Sequence, residues 1–221
     1  MTWTIPNTLT VLRLLAAPGV AVMFLYFHRP WADWFALTLF VGAAITDWFD
    51  GYLARLWKQE SKFGAMLDPI ADKAMVVIAL VIITGYSGMN PWLILPTTII
   101  LFREVFVSGL REFLGAKAGL LRVTKLAKWK TTAQMVAIAV LFLGTGLEYL
   151  NGVAMQGMTP DQYSDAVAAG LADPIRACGK QDCASYANRA GLVMIWVAAA
   201  LTALTGWEYF AKALPFLKED K

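Results

Sequence analysis

Between residues 47 and 72 stand the aspartates Asp47, Asp50, Asp68 and Asp72, with Arg55 among them. On one helix Asp47 and Asp50 are three apart, and Gly51 and Ala54 extend the same side. On the next, Gly64, Asp68 and Asp72 recur every four residues along one face. A turn at 56–62 would fold the two helices into a hairpin and let those faces meet. Carboxylates at such close quarters repel, and divalent cations remove the conflict. An all-oxygen donor set suits Mg²⁺ or Mn²⁺ better than zinc, which favours histidine or cysteine. Gly51, Ala54 and Gly64 leave room for a ligand or for close helix packing. Arg55 can make forked hydrogen bonds to a phosphate. The chemistry such a set could carry is displacement at phosphorus in a metal-bound pyrophosphate. Interhelical ion pairing alone would account for one Asp–Arg pair and leave the other acids uncompensated, at a cost of roughly 2.5–3.5 kcal/mol for each charge near hydrocarbon.

The elements that must position these residues are membrane helices. The chain has 221 residues, 58% hydrophobic and 16% charged, with a mean hydropathy of +0.56. Soluble domains carry about 25% charged residues. Apolar runs of membrane-spanning length recur, so the sequence predicts an all-α integral membrane protein with about six transmembrane helices, at roughly 7–27, 31–56, 63–86, 91–113, 128–147 and 190–214. The first apolar segment leads directly into the next and reads as a retained helix, not a signal peptide. The whole of 1–221 reads as one membrane domain with no nucleic-acid role.

Basic residues alternate with helix number. Arg55, Lys58 and Lys62 follow the second helix; Arg111, Lys117, Arg122, Lys125, Lys128 and Lys130 follow or border the fourth; Lys212, Lys218 and Lys221 close the chain. The turns at 27–30 and 86–91 hold only Arg29 between them. The positive-inside rule then places both termini, and the acidic hairpin, on the cytoplasmic side. A polar insertion at about 148–189 falls on the outer side and contains Cys178 and Cys183. In that compartment a small disulfide loop is favoured over a metal site, since the only histidine is His28. His28 reads as interfacial, tryptophans near helix ends as aromatic belts, and methionines as packing. Asn7 and Arg13, on the first helix, could approach the lipid nucleotide but are assigned no role in the site.

The run D47-x2-D50-G51-x2-A54-R55-x8-G64-x3-D68-x3-D72 resembles the signature of the CDP-alcohol phosphatidyltransferases. Agreement at all its fixed positions has a chance frequency on the order of 10⁻¹⁰ per start point, taking typical residue usage of about 5%. IPNTLTVLRLLAAP at 5–18, FREVFVSGLREF at 102–113 and KWKTTAQM at 128–135 are similar to the branch of that family using glycerol 3-phosphate. The outer insertion is longer than the family usually shows, and Ala127 stands where a glycine commonly precedes the lysine. The resemblance implies two divalent ions, Mg²⁺ or Mn²⁺, on Asp47, Asp50, Asp68 and Asp72, with Asp72 also as general base. It implies that Gly51, Ala54, Arg55 and Gly64 bind CDP-diacylglycerol, that the phosphatidyl group passes to sn-glycerol 3-phosphate with release of CMP, and that the chain is a homodimer in the bacterial cytoplasmic (inner) membrane.

Arg103, Arg111 and Lys128 are candidates for the acceptor phosphate. Arg103 and Arg111 lie eight apart, about 80° around a helix, and can border one cleft. Glu104 would satisfy Arg103 only in part. Lys117, Arg122, Lys125 and Lys130 read as ordinary positive-inside charge. Two other readings stand beside this one. The same family could use another acceptor, such as inositol phosphate or phosphatidylglycerol. A cation transporter could use intramembrane acids, but such sites usually lie at mid-membrane on broken helices in repeated halves, and no repeat is visible here. A non-catalytic metal- or lipid-binding protein would be expected to lack a motif acid, and none is missing.

Overall fold

The computed structural model describes residues 5–29, 31–57, 62–115, 125–155, 161, 162, 165 and 180–218, with side chains described except at 5, 6, 47–57, 62, 65, 125–128, 151–155, 180–184 and 217–218. Among the described residues the protein is all-helical. The elements are α1 (Ile5–Tyr26), α2 (Trp31–Trp57), α3 (Lys62–Tyr86), α4 (Pro91–Leu114), α5 (Lys125–Met155) and α6 (Lys180–Lys218). Four stretches are long and apolar enough to cross a bilayer: Asn7–Tyr26, Pro91–Leu114, Trp129–Leu150 and Ser185–Phe216. The apolar stretch of α2, Trp31–Thr46, is shorter. This is a multi-pass membrane architecture.

The first four helices fall close to their expected bounds, whereas α5 and α6 run beyond theirs into polar sequence. Hydropathy locates the part of a helix that suits hydrocarbon, not the point where backbone hydrogen bonding stops. The flanking residues include alanine, lysine, glutamine and glutamate, which favour helix in water as well. The α3–α4 connection is sharp. Gly88 and Met89 both take positive φ, 63° and 61°, and Asn90 then caps α4 by accepting a hydrogen bond from the Trp92 amide at 3.0 Å. Pro91 follows at the first turn, where a missing N–H is tolerated. Gly115, φ 51°, ends α4 by donating to the carbonyls of Arg111 and Glu112.

The chain divides into two compact units, residues 1–83 with 139–191, and residues 84–138 with 192–221. In the first unit, α1 buries Ala17, Val20 and Phe24, and α2 buries Ala32, Ala36, Phe40 and Ala43, in each case along one helical stripe. The Phe142 ring of α5 packs against Phe24 and Phe40 at centroid distances of 6.0 and 5.9 Å. Small residues then bring α5 and α6 close. A Cβ on Gly191 would meet Leu141 Cδ2 at 2.8 Å, and one on Gly144 would overlap the Asn188 amide. Asn188 itself donates to Glu148 Oε2 at 3.0 Å.

One ion pair ties the start of α2 to α5. Asp33 is 1% exposed. Arg29 donates to it twice, Nε to Oδ2 at 2.7 Å and Nη2 to Oδ1 at 2.5 Å. Arg29 Nη2 also donates to the Thr145 carbonyl at 3.1 Å, and the guanidinium lies 4.7 Å from the centroid of the Tyr149 ring.

In the second unit, α4 buries Leu93, Thr97, Ile100, Val107 and Leu114, and α6 buries Ile195, Ala198, Ala199 and Thr202. Gln134 of α5 donates to Thr202 Oγ1 at 2.9 Å, and Thr202 returns its proton to the Ala198 carbonyl at 2.5 Å, so this buried polar contact is satisfied. Trp196 Nε1 donates to the Trp92 carbonyl at 2.9 Å, linking α6 to the start of α4.

Breaking the Arg29–Asp33 pair from one side leaves an uncompensated buried carboxylate, which costs about 3–5 kcal/mol, whereas replacing both partners by apolar residues is often neutral. Arg29→Met should therefore lower the thermal unfolding midpoint in detergent more than Arg29→Met/Asp33→Leu does. The reverse order would show that the pair contributes nothing to stability.

Candidate functional site

The acidic constellation lies in the first unit. Helix α2 continues without a break to Trp57, so Asp47, Asp50, Gly51, Ala54 and Arg55 all occupy its last turns; their side chains lie outside the described residues. On α3, Gly64 is buried, Asp68 is half-buried, and the Asp72 side chain is 38% exposed. The four-residue spacing thus places the α3 part of the expected set on one continuous helix, with Pro69 tolerated between the two acids.

Both α3 acids are held from α1. Thr10 Oγ1 donates to Asp68 Oδ1 at 2.7 Å, and Arg13 Nη1 donates to Asp72 Oδ1 at 3.1 Å. Asn7, Thr10 and Arg13 form a polar stripe at three-residue spacing, with exposures of 5%, 2% and 3%. The two bonds climb both helices in the same sense, so α1 and α3 run parallel here. Sequence reasoning assigned Asn7 and Arg13 no role and passed over Thr10. The available signal was the arginine within an apolar run, since an ionisable residue at membrane depth requires a partner.

Among the described residues no three histidine, cysteine or acidic side chains converge as a ready metal site, and Asp47 and Asp50 are not among those side chains. What α3 offers fits a hard divalent ion. Its donors are carboxylate oxygens, and Asp72 keeps a solvent-accessible side although one oxygen is held by Arg13.

The basic candidates lie in the second unit. Arg103 Nη1 donates to Glu104 Oε1 at 3.2 Å, and Lys130 Nζ donates to the same oxygen. The side chains of Arg103, Glu104 and Lys130 are 15%, 12% and 6% exposed, so two cations meet at one carboxylate away from water. Arg103 Nε is buried with no hydrogen-bond partner among the described residues. The stem of Arg103 packs where Gly206 of α6 has no side chain; a Cβ there would stand 2.8 Å from Arg103 Cγ. Lys130, read from the sequence only as positive-inside charge, is a buried member of an ion cluster. The α5 helix begins before it, at Lys125, and carries it inward toward Glu104. Arg111 is exposed and has a different partner: Nε donates to Tyr209 Oη at 3.2 Å, with the guanidinium 5.7 Å from that ring's centroid. The Lys128 and Cys183 side chains, and Cys178 altogether, lie outside the described residues.

Residues 3–172 match the family model described as CDP-alcohol phosphatidyltransferase. The chain is 82% identical, over the full length of both proteins, to the CDP-diacylglycerol–glycerol-3-phosphate 3-phosphatidyltransferase of Cereibacter sphaeroides. It is 44% identical over 143 residues, 64% of this chain and 78% of the relative, to the Salmonella choleraesuis protein of that name. The corresponding figure for the Escherichia coli K12 protein is 43% over the same length and shares. The Asp47–Asp72 motif falls wholly within the matched region, and on these grounds the chain belongs to the CDP-alcohol phosphatidyltransferase family.

Proposed function

We propose that this protein transfers the phosphatidyl group of CDP-diacylglycerol to sn-glycerol 3-phosphate, releasing CMP and forming phosphatidylglycerophosphate. The observation that carries this reading is the 82% identity along the entire chain to a relative bearing that activity in its name. The unbroken acidic motif supports it, because a chain that had lost the chemistry would be free to lose an acid.

The proposed roles follow from side-chain chemistry. The hydroxyl oxygen of the acceptor forms a bond to the lipid-side phosphorus, and the bond from that phosphorus to the CMP oxygen breaks. Asp72, accessible on one side, takes the hydroxyl proton. Arg55 holds a phosphate of the CDP group, with Gly51, Ala54 and Gly64 leaving space beside it. Asp47, Asp50, Asp68 and Asp72 would hold two divalent ions, Mg²⁺ or Mn²⁺. Bound there, such ions neutralise pyrophosphate charge and stabilise the leaving group. The acceptor's phosphate dianion is held by Arg103, Arg111 and Lys128. The two cations gathered at Glu104, Arg103 and Lys130, support a phosphorylated acceptor over a neutral polyol.

The same reading places six helices across the bacterial cytoplasmic membrane, with both termini and the acids facing the cytoplasm. The parallel course of α1 and α3 supports this, since odd-numbered helices must then cross in the same direction. Assembly as a homodimer and a Cys178–Cys183 disulfide in the outer segment complete the proposal.

Purified protein should release CMP from CDP-diacylglycerol only when glycerol 3-phosphate and Mg²⁺ or Mn²⁺ are both present, and chelation should stop the reaction reversibly. Release with inositol phosphate but not glycerol 3-phosphate would overturn the acceptor assignment. Asp72→Asn should lower kcat about 10²- to 10⁴-fold, the range of a lost general base, in the same assay. Arg103→Gln removes a charged hydrogen-bonding group worth about 1.5–3 kcal/mol, so the KM for glycerol 3-phosphate should rise by about tenfold or more. An unchanged KM would remove Arg103 from the acceptor site.

A further inference from the structure

We infer that α1 is a positioning element of the acidic site, with Thr10 setting the orientation of Asp68 and Arg13 that of Asp72. This rests on the proposed reading of Asp68 and Asp72 as metal-binding and proton-accepting residues.

A threonine in a helix needs no outside partner for its hydroxyl. Thr46 and Thr98 donate to carbonyls four residues back, at 2.9 and 2.8 Å. Thr10 reaches another helix, with its side chain buried and its oxygen 2.7 Å from Asp68 Oδ1. The hydroxyl donor fixes one carboxylate oxygen and so limits rotation of the group as a whole.

Arg13 makes the second case by contrast with Arg29. Asp33, the counter-ion of Arg29, is more buried than its partner, with side-chain exposures of 1% and 23%. That is the pattern of a carboxylate whose whole role is to neutralise and anchor. In the Arg13–Asp72 pair the order is reversed: the arginine is 2% exposed and the carboxylate 38%. The cation is the buried part, and the acid it grips is the more exposed one. Outer partners of this kind hold metal-binding and reacting groups at a productive angle, and their loss typically costs 10–100-fold in metal affinity or activity.

The test is Mn²⁺ binding to the full-length protein in detergent with CDP-diacylglycerol present, read from the loss of the free Mn²⁺ signal in electron paramagnetic resonance, together with steady-state CMP release. Thr10→Val, which removes the hydroxyl, should raise the Mn²⁺ dissociation constant by about tenfold, and Thr10→Ser, which keeps it, should restore binding to near that of the unaltered chain. Arg13→Lys keeps the charge but loses the rigid fork. It should lower kcat by about tenfold or more, leaving the KM for glycerol 3-phosphate and the thermal unfolding midpoint near their starting values. Wild-type Mn²⁺ affinity in Thr10→Val, or equal weakening in Thr10→Ser, would overturn the role of Thr10. An unchanged kcat in Arg13→Lys would overturn that of Arg13. Should the Arg13 variant fail to fold, the two Thr10 variants decide the matter. If the unaltered chain binds no Mn²⁺, the metal reading itself falls, and this inference with it; if it binds Mn²⁺ and Asp68→Asn does not, that reading stands whatever the Thr10 variants do.

Discussion

A charge at membrane depth is tolerated only where the protein itself supplies a partner, because hydrocarbon offers none. Three such pairings organise the described parts of this chain, and each is balanced differently. Arg29 and Asp33 form a closed pair with two hydrogen bonds, and every feature of it points to anchoring. Arg13 and Asp72 also form a pair, but the acid keeps an accessible side. Arg103 and Lys130 both meet the carboxylate of Glu104, and all three side chains are largely buried. Each sets cationic side chains against a carboxylate. What differs is which partner is buried, and this separates an anchor from groups able to meet a ligand.

Packing between helices serves those pairings. Lipid tails are as apolar as leucine, so membrane helices associate through close van der Waals contact instead of expulsion of water. Gly144 and Gly191 permit that approach between α5 and α6, and Gly206 does the same for the stem of Arg103 against α6. A long cationic side chain can then lie along a helix surface with its head near Glu104. The glycine is therefore tied to the position of a charge and not only to the spacing of two backbones.

Family membership gives this arrangement its chemical context. In the proposed reaction an anionic pyrophosphate is approached by an anionic acceptor, so positive charge is needed at both, from basic side chains or from divalent ions held by the carboxylates. Acidic residues on α2 and α3, and basic residues on α4 and α5, are the chain's proposed means of supplying it. The α1 stripe of Asn7, Thr10 and Arg13 adds a layer behind the acids that the family motif does not include.

Hydropathy and spacing were sufficient for the helices and for the acidic motif, because both are periodic properties of contiguous sequence. Apolar runs marked α1 to α4 closely, and the four-residue repeat of Gly64, Asp68 and Asp72 put them on one face before any fold was known. Where α5 and α6 end was not legible, since hydrogen bonding continues past the apolar stretch. Partner choice was not legible either. Glu104 beside Arg103 could be named as a partial partner, but nothing local joined Arg13 to Asp72 or separated buried Lys130 from the basic residues around it. Those assignments join residues far apart in the chain: 59 positions separate Arg13 from Asp72, and 26 separate Glu104 from Lys130. The amino-acid sequence alone determined which helices form and which acids share a face, through the short-range periodicity of the backbone. Only the tertiary structure decided which charges are neutralised and which stay available, because that depends on which helices pack together and how deeply each side chain lies between them.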